Sequence, residues 1–150
     1  MLDATDIDLL SKAVRDGDTD PRFDMDGDGA VNGLVDNRGR ALLVLSVRAT
    51  RSADPVDLTV WIDTAFTGEL VIPRTTIESL ALPQSAAVMA GLADGTQVVL
   101  ESYRCVIDWF GDLQLVEVIE NDGQIPLLGV GLLSDRRLEI DYRDRSLVLD

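Results

Sequence analysis

The chain has 150 residues, 46% of them hydrophobic, enough for one domain with a proper core. Its formal net charge of −14 argues against nucleic-acid binding, which needs clustered Lys and Arg, and no apolar run nears the ~18–20 residues that span a bilayer. Histidine is absent and Cys105 is the only cysteine, which excludes His-based catalytic triads, His-ligated zinc and an intrachain disulfide framework.

Hydrolytic chemistry in this chain must therefore rest on carboxylates, on Lys12 or on a metal held by oxygen. Met1-Leu2-Asp3 opens an acidic segment without a basic, apolar secretory signal, so a cytoplasmic protein is expected. Next, DIDLLSKAVR (residues 6–15) places Ile7, Leu10 and Val14 at helical spacing, with Thr5 or Asp6 available as N-cap.

An acidic, Gly-rich loop follows over residues 16–32. Within it Asp24, Asp26 and Asp28 take the first three ligand positions of a calcium loop, and Gly29 stands where such a loop turns sharply. Ala30 offers a carbonyl and Asn32 a side chain at the next two ligand positions. The closing carboxylate is missing, because Val35 occupies that place and Asp36 comes one residue late. Calcium binding and a plain solvated acidic turn are the two readings. The helix and the DMDGDGAVN loop together resemble half of a dockerin-type calcium module, which would make residues 1–32 an appendage to a domain at 33–150.

Beyond Gly33 the pattern changes to short strands, predicted at 41–48, 56–62, 69–73, 96–109, 113–119, 137–142 and 145–149. Turn signals separate several of them, at Asp94-Gly95, Gly111-Asp112, Asp122-Gly123 and Asp144. Residues 74–80 and 127–133 have room for one or two helical turns each. The body is expected to be all-β, without internal repeats.

Between the second and third of these strands lies WIDTAFTGELVIP, residues 61–73. An aspartate after a strand is ordinarily a turn residue bonded to its own backbone. Asp63 stands in a more apolar setting: Val60, Trp61 and Ile62 precede it, small Thr64 and Ala65 follow, and Gly68 allows a bend before the next apolar strand. Asp-Thr-small-aromatic between apolar strands resembles the catalytic loop of retropepsin-like aspartic proteases, in their bacterial branch.

The resemblance extends over nearly all of 33–150. GLVDNRGRALLVL (33–45) looks like the first strand of that branch. Ala93, Asp94 and Gly95, followed by Thr96, fall where the family has its flap hairpin. LLGVGLL (127–133) looks like the segment that forms a short helix before the last strands.

The resemblance implies a retropepsin-like acid-protease barrel with a short helix near the C-terminus and an endopeptidase activity that needs no cofactor. Two carboxylates would share a proton, one activating water and the other donating to the scissile carbonyl. With one such motif per chain, the resemblance implies a homodimer in which Asp63 of each copy meets on the two-fold axis. Thr64 would brace the paired loops, the flaps would cover a peptide or protein substrate, and residues 145–149 could join an interface sheet.

Two departures stand out. Ala65 replaces the usual Gly, and Gly131 replaces a commonly polar residue. The rival readings are a catalytically impaired dimerisation or peptide-binding module, and a calcium-dependent docking protein whose β domain is passive. Elsewhere, Cys105 reads as a packing residue, Trp109-Phe110 as the apolar end of a strand, and Arg136-Arg137 as a solvated pair.

Overall fold

A computed structural model describes residues 29–150. The predicted helix at 6–15 and the expected ligands Asp24, Asp26 and Asp28 lie outside the described residues. Ten strands follow in order: β1 Val31–Val35, β2 Ala41–Arg48, β3 Val56–Ile62, β4 Leu70–Pro73, β5 Gln84–Gly91, β6 Gln97–Trp109, β7 Asp112–Asn121, β8 Leu127–Leu128, β9 Leu138–Asp141 and β10 Ser146–Leu149. Among the described residues one α-helix, α1 (Arg74–Leu80), follows β4, and one 3-10 turn spans Val130–Leu132.

The sheet runs β5-β6-β7-β4-β8-β3-β2-β1-β10-β9, and an extra β6–β2 pairing at Val47↔Ile107 closes six of these strands into a barrel. Closure follows from the length of β6. Its first five residues, Gln97–Glu101, pair only with β5, while Ser102–Trp109 pair with β7 and its Val106–Ile107 reach β2. The barrel is filled by alternate residues of each strand, among them Leu43, Leu45, Val60, Leu70, Ile107, Val118 and Leu128, all 4% exposed or less. Cys105 is part of this core, and burial pushes its thiol up to about 12, which makes it a packing residue as expected.

The all-β expectation holds, and most strands fall within a residue or two of their predicted bounds. β5 was not foreseen: QSAAVMAG is poor in β-branched and aromatic residues, and its pairing with β6 overrides that weak propensity. The β6–β7 turn lies one residue earlier than its signal, at Phe110-Gly111. Both have positive φ (51° and 88°), as a two-residue hairpin of this twist demands. Phe110 tolerates this with Trp109 edge-on at 5.0 Å and the Arg136 guanidinium 3.6 Å over its ring. Arg136 and Arg137 are both exposed, as expected, and Arg137 also makes an exposed ion pair with Glu139 at 2.8 Å.

β10 corrects another expectation. It pairs with β1 on one side and β9 on the other, so residues 145–149 have no free edge for a partner. Among the described residues, the unpaired edge at that end belongs to β9.

β1 takes in Val31 and Asn32, so the sheet begins two residues before the expected boundary at Gly33. Ala30 is buried beside it and Asn32 lies opposite Val148. Asp36, expected as the late carboxylate of a calcium loop, closes the β1–β2 turn instead. Its Oδ1 accepts the N–H groups of Arg38 (2.9 Å) and Arg40 (2.8 Å), and its Oδ2 accepts Arg40 Nε at 2.6 Å. Both side chains are at least 95% buried, and the Arg40 guanidinium also lies 5.9 Å from the Trp61 ring centroid.

Burial pushes the Asp36 carboxyl up, but the bonds to Arg40 and Arg38 outweigh it and hold its pKa below the ordinary 3.8. A carboxyl depressed on folding adds stability above its unfolded value and loses it as pH falls through the folded one. Asp36→Ala is expected to cost roughly 3 kcal/mol at neutral pH, since it strips a buried guanidinium of its carboxylate. Urea unfolding at pH 7 and again well below pH 4 checks this, the difference between variant and parent shrinking in acid.

Candidate active site

Asp63 follows the last residue of β3, where Ile62 pairs with Leu128 of β8. β8 is a two-residue strand wedged between β3, which it meets in parallel, and β4, which it meets antiparallel. This wedge fixes both ends of the loop. Asp63 N–H donates to Leu128 O (2.9 Å), and the N–H groups of Gly129, Val130 and Gly131 donate to the carbonyls of Glu69 (2.9 Å), Phe66 (2.8 Å) and Gly68 (2.9 Å). The start of the 3-10 turn is thus satisfied by the loop it supports.

A second set of contacts sits within the loop. Asp63 Oδ1 accepts Ala65 N–H at 2.9 Å, and Phe66 N–H donates to Asp63 O at 3.2 Å. The Phe66 ring packs against Gly68 and Gly129: a Cβ added at Gly68 would overlap ring carbon Cζ and come 2.9 Å from Cε2, and one added at Gly129 would come 2.5 Å from Cδ1. The carboxylate is thereby aimed by backbone bonds while remaining half-buried and open on one side.

Ala65 is exposed and is absent from the positive-φ residues of the described chain. Its methyl group therefore costs the backbone nothing, and the loop has no need of Gly there. Ala65→Gly is expected to lower stability by about 0.4–1 kcal/mol through unfolded-state entropy, measured by thermal unfolding. The polar side chain missing at Gly131 has a physical reason too, because a Cβ there would come 2.8 Å from Gly68 O.

Beside the loop opens a cleft of about 1140 Å³, whose lining includes Asp63, Ala65, Phe66, Asn121 and Asp122. The β5–β6 hairpin forms one side of it through Met89, Leu92 and Val99, which are 65%, 49% and 67% exposed. Ala93, Asp94 and Gly95 form the hairpin tip, where Leu92 N–H donates to Thr96 O and Gly95 has φ +87°. Hydrogen bonds from the Thr96 hydroxyl and N–H hold the Asp94 carboxyl below its ordinary range. Asp63 and the hairpin thus border one cleft, while Ala30, Asn32 and Asp36 are not among its lining residues.

Among solved structures the chain is similar to a retropepsin-like aspartic protease from Rickettsia conorii, with a TM-score of 0.57 at 14% identity over 80% of this chain and 89% of that one. The fold is retropepsin-like. The EIAV protease complexed with the inhibitor HBY-793 (TM-score 0.49, 18% identity, 67% of this chain and 90% of that one) also matches. So does the simian foamy virus (mac) protease, at 0.41 and 15%, over 61% and 91%. No family model matches the chain, and no curated protein does.

On the retropepsin-like fold one polar cluster had no signal in the sequence. Arg74, at the start of α1, directs Nε (2.9 Å) and Nη2 (2.5 Å) to Glu120 Oε1, and Tyr103 OH donates to Glu120 Oε2 at 3.0 Å. The Glu120 carboxylate raises the pKa of both partners. Arg74 and Glu120 are 46 residues apart, and the parallel β4–β7 pairing that puts Ile72 opposite Glu120 brings them together.

Proposed function

We propose that this chain is an aspartic endopeptidase whose catalytic centre is assembled from two copies, each supplying Asp63. The observation that carries this is Asp63 itself. In a retropepsin-like fold it is the carboxylate at the clamped β3–β4 loop, half-buried, edging a cleft beside an apolar hairpin.

One such carboxylate cannot supply both proton roles. In the dimer two Asp63 groups about 3 Å apart hold a single proton between them, because both cannot ionise cheaply. The ionised one takes a proton from water as the water attacks the scissile carbonyl, and the protonated one donates to the carbonyl oxygen. The resulting gem-diol collapses with a proton passed to the leaving amine. Thr64, exposed and without a hydrogen-bond partner among the described residues, is available to brace its counterpart across the axis. Ala93, Asp94 and Gly95 would close over the peptide from the hairpin tip.

The negative φ of Ala65 means that its methyl group strains no backbone, which supports the enzymatic reading over an impaired, binding-only module. The experiment is hydrolysis of a mixed peptide library across acid to neutral pH, at several protein concentrations, beside sedimentation velocity. Specific activity rising with concentration, in step with the dimer fraction, supports the shared centre. A fully monomeric protein with undiminished cleavage would sink it.

A further inference from the structure

We propose that the cleft beside Asp63 selects cationic peptides, segments bearing Lys or Arg side chains close to the scissile bond; this rests on the endopeptidase reading above. The cleft lining contains six carboxylates, Asp63, Glu69, Glu101, Glu117, Glu120 and Asp122, against one guanidinium, Arg74. That guanidinium is already committed. Two of its nitrogens hold Glu120 Oε1, and Asp122 and Glu78 add their negative field around it. Glu120 in turn is 8% exposed and has its second oxygen on Tyr103. The pair is close to neutral as a unit and adds little net charge to the cleft, although the Arg74 side chain is 59% exposed.

The other five carboxylates have no ion-pair partner among the described residues. Three of them accept only neutral donors, which orient a carboxylate without cancelling its charge. Asp63 accepts from Ala65 N–H, Glu69 from the Glu117 N–H at 2.6 Å, and Glu101 from the Gln84 side-chain amide. The β4–β7 register also sets Glu69 and Glu117 one step before Leu70↔Val118, placing two like charges side by side where sheets ordinarily avoid them. Arg104 stands opposite Glu117 across β6–β7 but is exposed and outside the cleft lining.

A concave wall of one sign focuses its field into the cleft and raises the local concentration of the opposite charge. The exposed Met89, Leu92 and Val99 suit the same ligand, since Lys and Arg lay long aliphatic stems on apolar surface while their heads reach for carboxylates. An acidic peptide meets repulsion on the same path.

The test compares three peptides of one scaffold, with Lys, Gln or Glu at the positions flanking the cleavage site. For the parent protein at low salt, kcat/KM for the Lys peptide is expected to exceed that for the Glu peptide by about tenfold or more. The ratio should shrink several-fold at high salt, where the Debye length falls to about 3 Å. Neutralising the cleft in a Glu117→Gln/Asp122→Asn double variant should lower the ratio several-fold. An equal loss of charge at exposed sites off the cleft, Asp54→Asn/Asp112→Asn, should leave it unchanged.

Equal lowering by both pairs would reduce the effect to net charge and overturn the proposal. Equal cleavage of all three peptides would also overturn it, while leaving the endopeptidase reading intact. Binding of the labelled peptides to the Asp63→Asn protein, followed by fluorescence anisotropy, separates the two ideas. Lys-over-Glu preference in binding without any cleavage by the parent would keep the charge selection and discard the protease. Equal binding of the Lys and Glu peptides would discard the charge selection.

Discussion

Replacing Asp63 by Asn is expected to reduce peptide hydrolysis by about 10³-fold or more, with little change in fold or stability. The amide is nearly isosteric, and its oxygen can still accept the Ala65 N–H that Asp63 Oδ1 accepts at 2.9 Å. The Leu128 and Phe66 backbone bonds that hold residue 63 are also untouched. Only the chemistry changes, since an amide neither takes a proton from water nor shares one with a facing carboxylate. Steady-state kinetics and a thermal melt on the same sample check it. Lost activity with an unchanged melting temperature assigns Asp63 to catalysis. Full activity in the folded variant would remove it from the mechanism.

Gly129→Ala is the second large effect, and it acts on the fold that aims Asp63. A methyl group at 129 would overlap Gly68 O and the Phe66 ring and come 2.7 Å from Phe66 O. These are mainly backbone atoms, already held by the N–H groups of residues 130 and 131, so relief requires the loop and the 3-10 turn to part. The expected cost is about 3 kcal/mol. At this chain length that lowers the melting temperature by roughly 10 °C. Activity measured well below the new melting temperature should also fall, because the displaced carbonyls are those that anchor the Asp63 loop. An unchanged melting temperature would mean that the 66–69 loop and the 129–131 segment are not packed as tightly as described.

Much of this arrangement was legible beforehand, for local reasons. β2, β3 and α1 match the predicted bounds residue for residue, because the apolar run at 41–48 and the period-two pattern at 56–62 are short-range signals. Asp63 could be singled out because its apolar neighbours contradict an ordinary surface turn. β5 was missed because its Ala, Ser and Gly residues carry almost no strand propensity of their own. Asp36 was assigned by a loop pattern, whereas four residues of chain and one buried Arg decided its role.

The sequence by itself restricted the chemistry, since a chain without histidine and with one cysteine leaves any hydrolysis to carboxylates, Lys12 or a metal held by oxygen. It also determined the strand-rich body, whose side chains alternate between barrel interior and solvent. Only the tertiary structure decided the pairings that cross long stretches of chain. These are the wedge of β8 between β3 and β4, the Arg74–Glu120–Tyr103 cluster, the negative φ of Ala65, and the enclosure of β10 between β1 and β9. The physical reason is that period-two patterning states which face of a strand is apolar, but not which strand lies beside it. That choice is made by closing the barrel and satisfying every buried backbone group at once.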